Sequence, residues 1–327
     1  MNDLVPVPAS PRLSIPSAQL VPATVAEAGE RASWRYVEFF TANIDNPHTR
    51  RAYARVCARF FTWCENRGLA LTAIRAFDVA AYLESLRDEI AAPSVKQCLA
   101  ALRMLFDWFV VGQIIPANPA SPVRGPKHVV KTGKTSVLDT GEWRRLTDTI
   151  PTSTVRDLRD RALIATLTYS FARIGAALKM KVEDVRPRGT GWTLRLHEKG
   201  GKHHVMPCHH ALSEALHVYI AAAGIADDKD GWLFRTSKGT KGTTLSSQAM
   251  TQPDAWRMVQ RRAKDAGIEA PVGCHTFRVT GITAYLANGG TLEHAQAMAA
   301  HESPRTTKLY DRTTERLTPD EIERIRF

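Results

Sequence analysis

His275-Thr276-Phe277-Arg278 and His301-Glu302-Ser303-Pro304-Arg305-Thr306-Thr307-Lys308-Leu309-Tyr310 fall within one stretch of 36 residues, and that stretch decides how the chain is read. His275 and Arg278 are three apart at the start of a helix that Gly289-Gly290 ends, so both side chains occupy one face. Phe277, Ile282, Tyr285 and Leu286 bury another face and give the polar pair a rigid mount. His301 follows a short apolar helix, Ser303-Pro304 reads as an N-cap and first helical position, and Tyr310 is expected two turns inside that helix. Upstream, Arg173 follows the largely apolar run 162–171, and Lys199 sits in a turn, Lys199-Gly200-Gly201-Lys202, between two alternating strands. Taken singly, each has a plain explanation: an ion-paired arginine, a solvated turn, a capping histidine, a packing tyrosine. Taken together, two arginines, a lysine, two histidines and a late tyrosine are what metal-free attack on a phosphodiester requires. Guanidinium forks hold non-bridging oxygens, imidazoles move protons, and a phenol can act as a covalent nucleophile.

The bulk of the chain agrees with a nucleic-acid partner. A formal net charge of +11 over 327 residues favours a polyanion. No apolar run approaches the ~20 residues that span a bilayer, and no basic-then-apolar leader opens the chain, so the expectation is a cytoplasmic protein without membrane partners. The five cysteines, Cys57, Cys64, Cys98, Cys208 and Cys274, form no Cys-x-x-Cys pair and indicate neither disulfides nor a zinc ribbon. His197, His203, His204, His209 and His210 lack the spacing of a metal site, and neither metal nor cofactor is expected.

Residues 1–30, broken by Pro6, Pro8, Pro11, Pro16 and Pro22, read as a flexible arm. From Ala32 the pattern is helical. A helix over 48–66 places Tyr53, Val56, Cys57, Phe60, Phe61 and Cys64 on one face and Arg50, Arg51, Arg55 and Arg59 on the other, where they are candidate DNA contacts. Helices over 72–89 and 94–112 follow, the latter with Leu99, Leu102, Leu105, Phe106 and Phe109 inward. Residues 31–116 are therefore a small all-α domain. A basic, Pro- and Gly-broken segment at 117–137, with candidate phosphate contacts Lys127, Lys131 and Lys134, reads as a linker. Residues 138–327 then read as a mostly helical domain with a small sheet: helices over 143–149, 156–168, 211–223, 255–266, 275–288, 292–300 and 304–310, and a hairpin of 192–197 with 204–207. Lys202, in the hairpin turn, is a further candidate DNA contact.

With these residues in order, the chain resembles the tyrosine recombinases of the phage-integrase family. The resemblance covers nearly everything from about residue 32 onward. It rests on Arg173, the hairpin segment Glu198-Lys199-Gly200-Gly201-Lys202, His275 with Arg278, and the tyrosine box from His301 to Tyr310. It implies a helical, SAM-like core-binding domain joined to an α+β catalytic domain, together clamping duplex DNA. It further implies that Tyr310 attacks the scissile phosphate to give a 3′-phosphotyrosyl bond and a free 5′-hydroxyl. Arg173, Arg278 and His301 would stabilise the pentavalent phosphorus, Lys199 (favoured over Lys202, the choice resting on hairpin register) would protonate the leaving oxygen, and His275 would handle the tyrosine proton. Three departures from the family pattern stand out. Phe171-Ala172 replaces Gly-Leu before the first arginine. Ala176 replaces an acid three residues after it, leaving Glu183 as the nearby carboxylate. Ala299-Ala300 replaces Leu-Gly before the second histidine, read as a change of packing.

The tail Thr318-Pro319-Asp320-Glu321 reads as a capping box opening an amphipathic helix, similar to the element that family members dock onto a neighbouring protomer in a tetramer on two DNA sites. The implied partners are double-stranded recombination sites, a homotetramer on them, and accessory DNA-bending or directionality factors. Integration, excision or resolution of a mobile element is the favoured role. Dimer resolution, DNA inversion and a type IB topoisomerase use the same chemistry, and a metal-dependent relaxase would need clustered histidines that the spacing lacks.

Overall fold

The computed structural model describes residues 21–128, 133, 135–189, 191–197, 203–239 and 241–311. The chain divides into two compact units, 1–129 and 130–327, each described by itself. The described residues are mostly helical and form two small antiparallel sheets.

In the first unit, α1 (Ala23–Ala26), α2 (Glu30–Ala42), α3 (Pro47–Glu65), α4 (Ala76–Ser85) and α5 (Ala92–Val111) surround one core. Asn46 caps α3 by accepting from the His48 and Thr49 amides, and Pro47 occupies its first position. The 3.6-residue repeat of α3 and α5 buries Phe60, Phe61, Phe106 and Phe109 completely, each worth roughly 1.5–3 kcal/mol of apolar transfer. Residues 21–30, expected within the flexible arm, are structured. Val25 is fully buried, and the Thr24 amide donates to Glu65 at 3.3 Å, so an apolar anchor overrides the proline-rich composition. The helix expected over 72–89 is shorter. Ile74 and Arg75 are extended, and the Arg75 amide donates to the Asp78 carboxylate at 2.9 Å, which starts α4 only at Ala76.

The expected linker is taken up from both ends. Ala120 and Val123 are buried in the first core, and the Arg103 guanidinium donates to the Ala120 carbonyl at 3.1 Å. At the other end Val137 packs against the cluster of Phe171, Val279 and Ile282, and Ser136 Oγ donates to the Pro271 carbonyl.

The second unit contains α6 (Thr140–Thr149), α7 (Val155–Tyr169), α8 (Ile174–Ala177), β1 (Val185–Arg188), β2 (Gly191–His197), β3 (His203–Pro207), α9 (His210–Ala223), β4 (Arg235–Lys238), β5 (Thr244–Ala249), α10 (Gln252–Asp265), α11 (Cys274–Ala287), α12 (Leu292–Met298) and α13 (Pro304–Lys308). One sheet has the order β1-β2-β3, and β4 pairs with β5. In the first sheet Leu194, Leu196 and Met206 face the core. Helix α7 is buried nearly all round, including Asp157, Arg159 and Asp160. Helix α11 packs on α7 because residue 281 is glycine: a Cβ there would stand 2.0 Å from the Thr168 carbonyl oxygen. Among the described residues no helix is long and apolar enough to cross a membrane. The tail capping box and its helix lie outside the described residues, as do Lys131, Lys134, Lys199 and Lys202.

Candidate active site

Two helix ends and one helix face build the site. Helix α7 stops at Tyr169, and Phe171 takes a left-handed conformation (φ +52°) that turns its carbonyl toward α11. Helix α12 ends in a Schellman turn: the Ala300 amide donates to Ala297 O at 3.0 Å and the His301 amide to Gln296 O at 3.1 Å, with Ala300 left-handed at φ +46°. Arg278, on α11 and only 1% exposed, ties the two ends together. Its Nη1 donates to the Phe171 carbonyl and its Nη2 to the Ala299 carbonyl at 2.7 Å. The same Nη2 lies 2.7 Å from His301 Nε2.

Tyr310 sits just beyond α13 rather than inside it. Its amide donates to Thr307 O at 2.9 Å, and its carbonyl accepts from Thr283 Oγ1 at 3.1 Å, which stops the helix at Lys308. The phenol oxygen lies 3.1 Å from His275 Nε2. The ring stacks on His301 at 5.7 Å between centroids, with 15° between planes. Tyr310 and His301 are buried, whereas His275 and Arg173 keep exposed edges. Burial, then the positive charges of Arg278 and Arg173, lowers the His275 pKa below the ordinary imidazole value. The same causes in the same order, with His275 adding to them, push His301 down to about 4. Both rings are thus neutral at neutral pH, as a proton acceptor from the phenol must be.

Five of the six expected residues therefore gather here: Arg173 through its charge on both histidines, and His275, Arg278, His301 and Tyr310 by direct contact. The sixth, Lys199, is outside the described residues, but the strand leading to it is firmly held. Fully buried Asp184 accepts from Arg195 Nε at 2.5 Å and pairs with His197 Nε2 at 2.9 Å. Glu183, the carboxylate considered as support for Arg173, instead pairs with Arg195 at 2.6 Å and Arg186 at 3.4 Å. Thr283 and Thr307, which fix the tyrosine segment, were not singled out in the sequence. The paired Thr306-Thr307 inside the tyrosine box was the available signal.

Ala299-Ala300 is a change of backbone strain rather than of packing. A left-handed non-glycine residue costs about 1–2 kcal/mol, and glycine's extra freedom in the unfolded chain returns about 0.5–1. Ala300→Gly is therefore expected to stabilise the second unit by about 0.5–1 kcal/mol in urea denaturation; unchanged stability would show that the turn is unstrained.

The candidate DNA contacts divide. Arg50 directs Nε and Nη2 to the Ile44 carbonyl at 3.1 and 2.8 Å, a role in closing the turn before α3. Arg59 pairs with Glu89, Arg51 donates to His48 at 3.1 Å, and Arg55 and Lys127 are exposed. The histidines of 197–210 disperse: His197 goes to Asp184, while His209 caps α9 and stacks on Tyr169 at 4.3 Å. Among the described residues no group of three His, Cys, Asp or Glu is arranged to hold a metal ion.

Known proteins resemble this chain in sequence and in fold. Residues 136–316 match the phage integrase family, and residues 36–111 match the phage integrase N-terminal SAM-like domain. A tyrosine recombinase XerD of Corynebacterium glutamicum is 28% identical over 282 residues, covering 82% of this chain and 88% of the relative. The XerD of Mycobacterium leprae is 27% identical, covering 82% and 87%. The fold matches that of XerH recombinase bound to a palindromic difH substrate, with TM-score 0.66, 19% identity and coverage of 90% and 87%. It also matches lambda integrase in a tetramer bound to a Holliday junction, with TM-score 0.59, 22% identity and coverage of 83% and 76%. The chain belongs to the phage integrase family of tyrosine recombinases.

Proposed function

We propose that this protein is a site-specific DNA recombinase that cuts and rejoins duplex DNA through a 3′-phosphotyrosyl intermediate. The observation that carries the reading is the phenol of Tyr310 set 3.1 Å from a neutral imidazole, beside a buried guanidinium. Tyr310 Oη attacks the phosphorus while its proton passes to His275 Nε2. The bond to the 5′-oxygen breaks, and Lys199 protonates that oxygen. Arg173, Arg278 and His301 hold the non-bridging oxygens, where charge accumulates in the transition state. Rejoining is the reverse attack by a 5′-hydroxyl, so the bond energy stays in the covalent intermediate and the reaction calls on neither ATP nor metal.

Arg51, Arg55, Lys127, Lys131, Lys134 and Lys202 serve DNA phosphates in this reading. Residues 318–327 dock on a neighbouring protomer, closing a homotetramer on two sites. Integration, excision or resolution of a mobile element is the favoured role. Resolution of chromosome or plasmid dimers is the alternative, and the XerD relatives at 24–28% identity make it a serious one. The protein is expected to act in a bacterial cytoplasm, on the nucleoid, with accessory DNA-bending or directionality factors where its sites require them.

The test is covalent trapping in EDTA on nicked duplexes tiling the DNA beside the gene. An SDS-resistant protein–DNA band, and recombination that needs two matching sites, are expected. Relaxation of a plasmid lacking such sites would indicate a topoisomerase instead. Tight binding with no band on any duplex would overturn the reading.

A further inference from the structure

Thr307 lies at the centre of the site, fully buried, and touches two of its residues. Its Oγ1 is 2.9 Å from His301 Nδ1, and its carbonyl accepts from the Tyr310 amide at 2.9 Å. The other nitrogen of His301, Nε2, is 2.7 Å from Arg278 Nη2. A guanidinium can only donate, so Nε2 is the acceptor and the single proton of the neutral ring is on Nδ1, donated to Thr307. In this arrangement His301 has no hydrogen to offer a phosphate from Nε2. To hydrogen-bond a non-bridging oxygen, the ring must present Nε2–H.

A hydroxyl differs from a carbonyl or an amide in that it accepts or donates as its partner demands. We infer that Thr307 is a positioning residue whose hydroxyl, accepting from Nδ1–H or donating to bare Nδ1, lets His301 change from acceptor toward Arg278 to donor toward a phosphate oxygen. The proton balance is simple. When Arg278 turns to the phosphate, Nε2 takes one proton from solvent and Nδ1 returns one, leaving the ring neutral. Thr307 Oγ1–H then rotates to face Nδ1. A ring that gains a proton and keeps both hydrogens is served equally, with Nδ1–H donating to Thr307 as a charge-assisted bond. In each case the ring stays stacked on Tyr310, so the histidine changes role without moving the nucleophile. The inference rests on the reading of His301 as a phosphate donor, and its test separates the two.

The experiment uses the full chain labelled with ¹⁵N-histidine, and Thr307→Val, Thr307→Ser and His301→Ala variants. In long-range ¹H–¹⁵N spectra of the wild type, His301 is expected as the Nδ1–H tautomer with slow solvent exchange. Thr307→Val should accelerate that exchange. In single-turnover cleavage of the nicked duplex that traps wild-type protein, Thr307→Val should lower the rate constant about ten- to hundredfold, the range for partners that hold a working imidazole. Its DNA affinity should be unchanged, and Thr307→Ser should recover most of the rate. An Nε2–H tautomer in the wild type overturns the inference whatever the variants do. So does a Thr307→Val rate equal to wild type when His301→Ala is slow. Full activity in His301→Ala would instead remove His301 from the chemistry, and the inference with it.

Discussion

Tyr310→Phe is expected to bind the proposed DNA site as tightly as wild type and to form no covalent adduct with it. The structure separates the two properties. Ring stacking on His301 and burial among Phe171, Val279, Ile282 and Leu286 depend on the aromatic body, which phenylalanine keeps. The backbone bonds to Thr283 and Thr307 also remain. Only the hydroxyl and its 3.1 Å contact with His275 are lost, a stability change within about 1.5 kcal/mol. Removing a covalent nucleophile costs on the order of 10⁶ in rate, so the adduct should fall below detection on nicked duplexes in EDTA. Heat denaturation and DNA-binding titrations on the same preparation establish that the variant is folded and bound. An SDS-resistant band of undiminished intensity would falsify the assignment and send the search to another hydroxyl.

Much of this site could be read before any coordinates, for a physical reason. The chemistry concentrates on α11 and the segment after it, where short spacings fix geometry: His275 and Arg278 share a face wherever a helix forms. The cores of α3 and α5 were equally legible, because their apolar residues repeat with the helical period and are large. What escaped was whatever depends on partners distant in sequence. Strands β4 and β5, Arg235-Thr236-Ser237-Lys238 and Thr244–Ala249, are polar and short, and their pairing is carried mainly by backbone bonds. Helix α1 is called into order by a core that only folding creates. Tyr310 was placed inside a helix because local propensity cannot foresee Thr283 capturing its carbonyl from 27 residues away. The burial of Arg159 and Asp160 escaped as well, because sequence shows charges without showing their counter-charges.

Those buried charges carry the second large effect. Asp160→Asn is expected to destabilise the second unit by about 3–5 kcal/mol. The Asp160 carboxylate is wholly inaccessible and serves three guanidiniums. Oδ1 accepts from Arg159 Nε and Nη2 at 3.1 and 2.6 Å. Oδ2 accepts from Arg261 Nη2 at 2.9 Å and from Arg262 Nε and Nη2 at 3.1 and 2.8 Å. Asparagine keeps the shape, cancels the charge, and turns two N–H bonds toward groups that can only donate. Arg159 is then left buried beside the Arg235 carbonyl, and Arg262 beside Asp157 alone. Asp230→Asn, which breaks the exposed Asp230–Lys181 pair of the same unit, should cost at most about 1 kcal/mol, so the contrast isolates burial from charge. Because α7 leads directly into Phe171, whose carbonyl holds Arg278, loss of the network should also slow cleavage at temperatures where the unit begins to open. Urea denaturation of the second unit measures the first effect. If Asp160→Asn costs no more than Asp230→Asn, the three arginines are satisfied by water and backbone, and α7 is held by its apolar face alone.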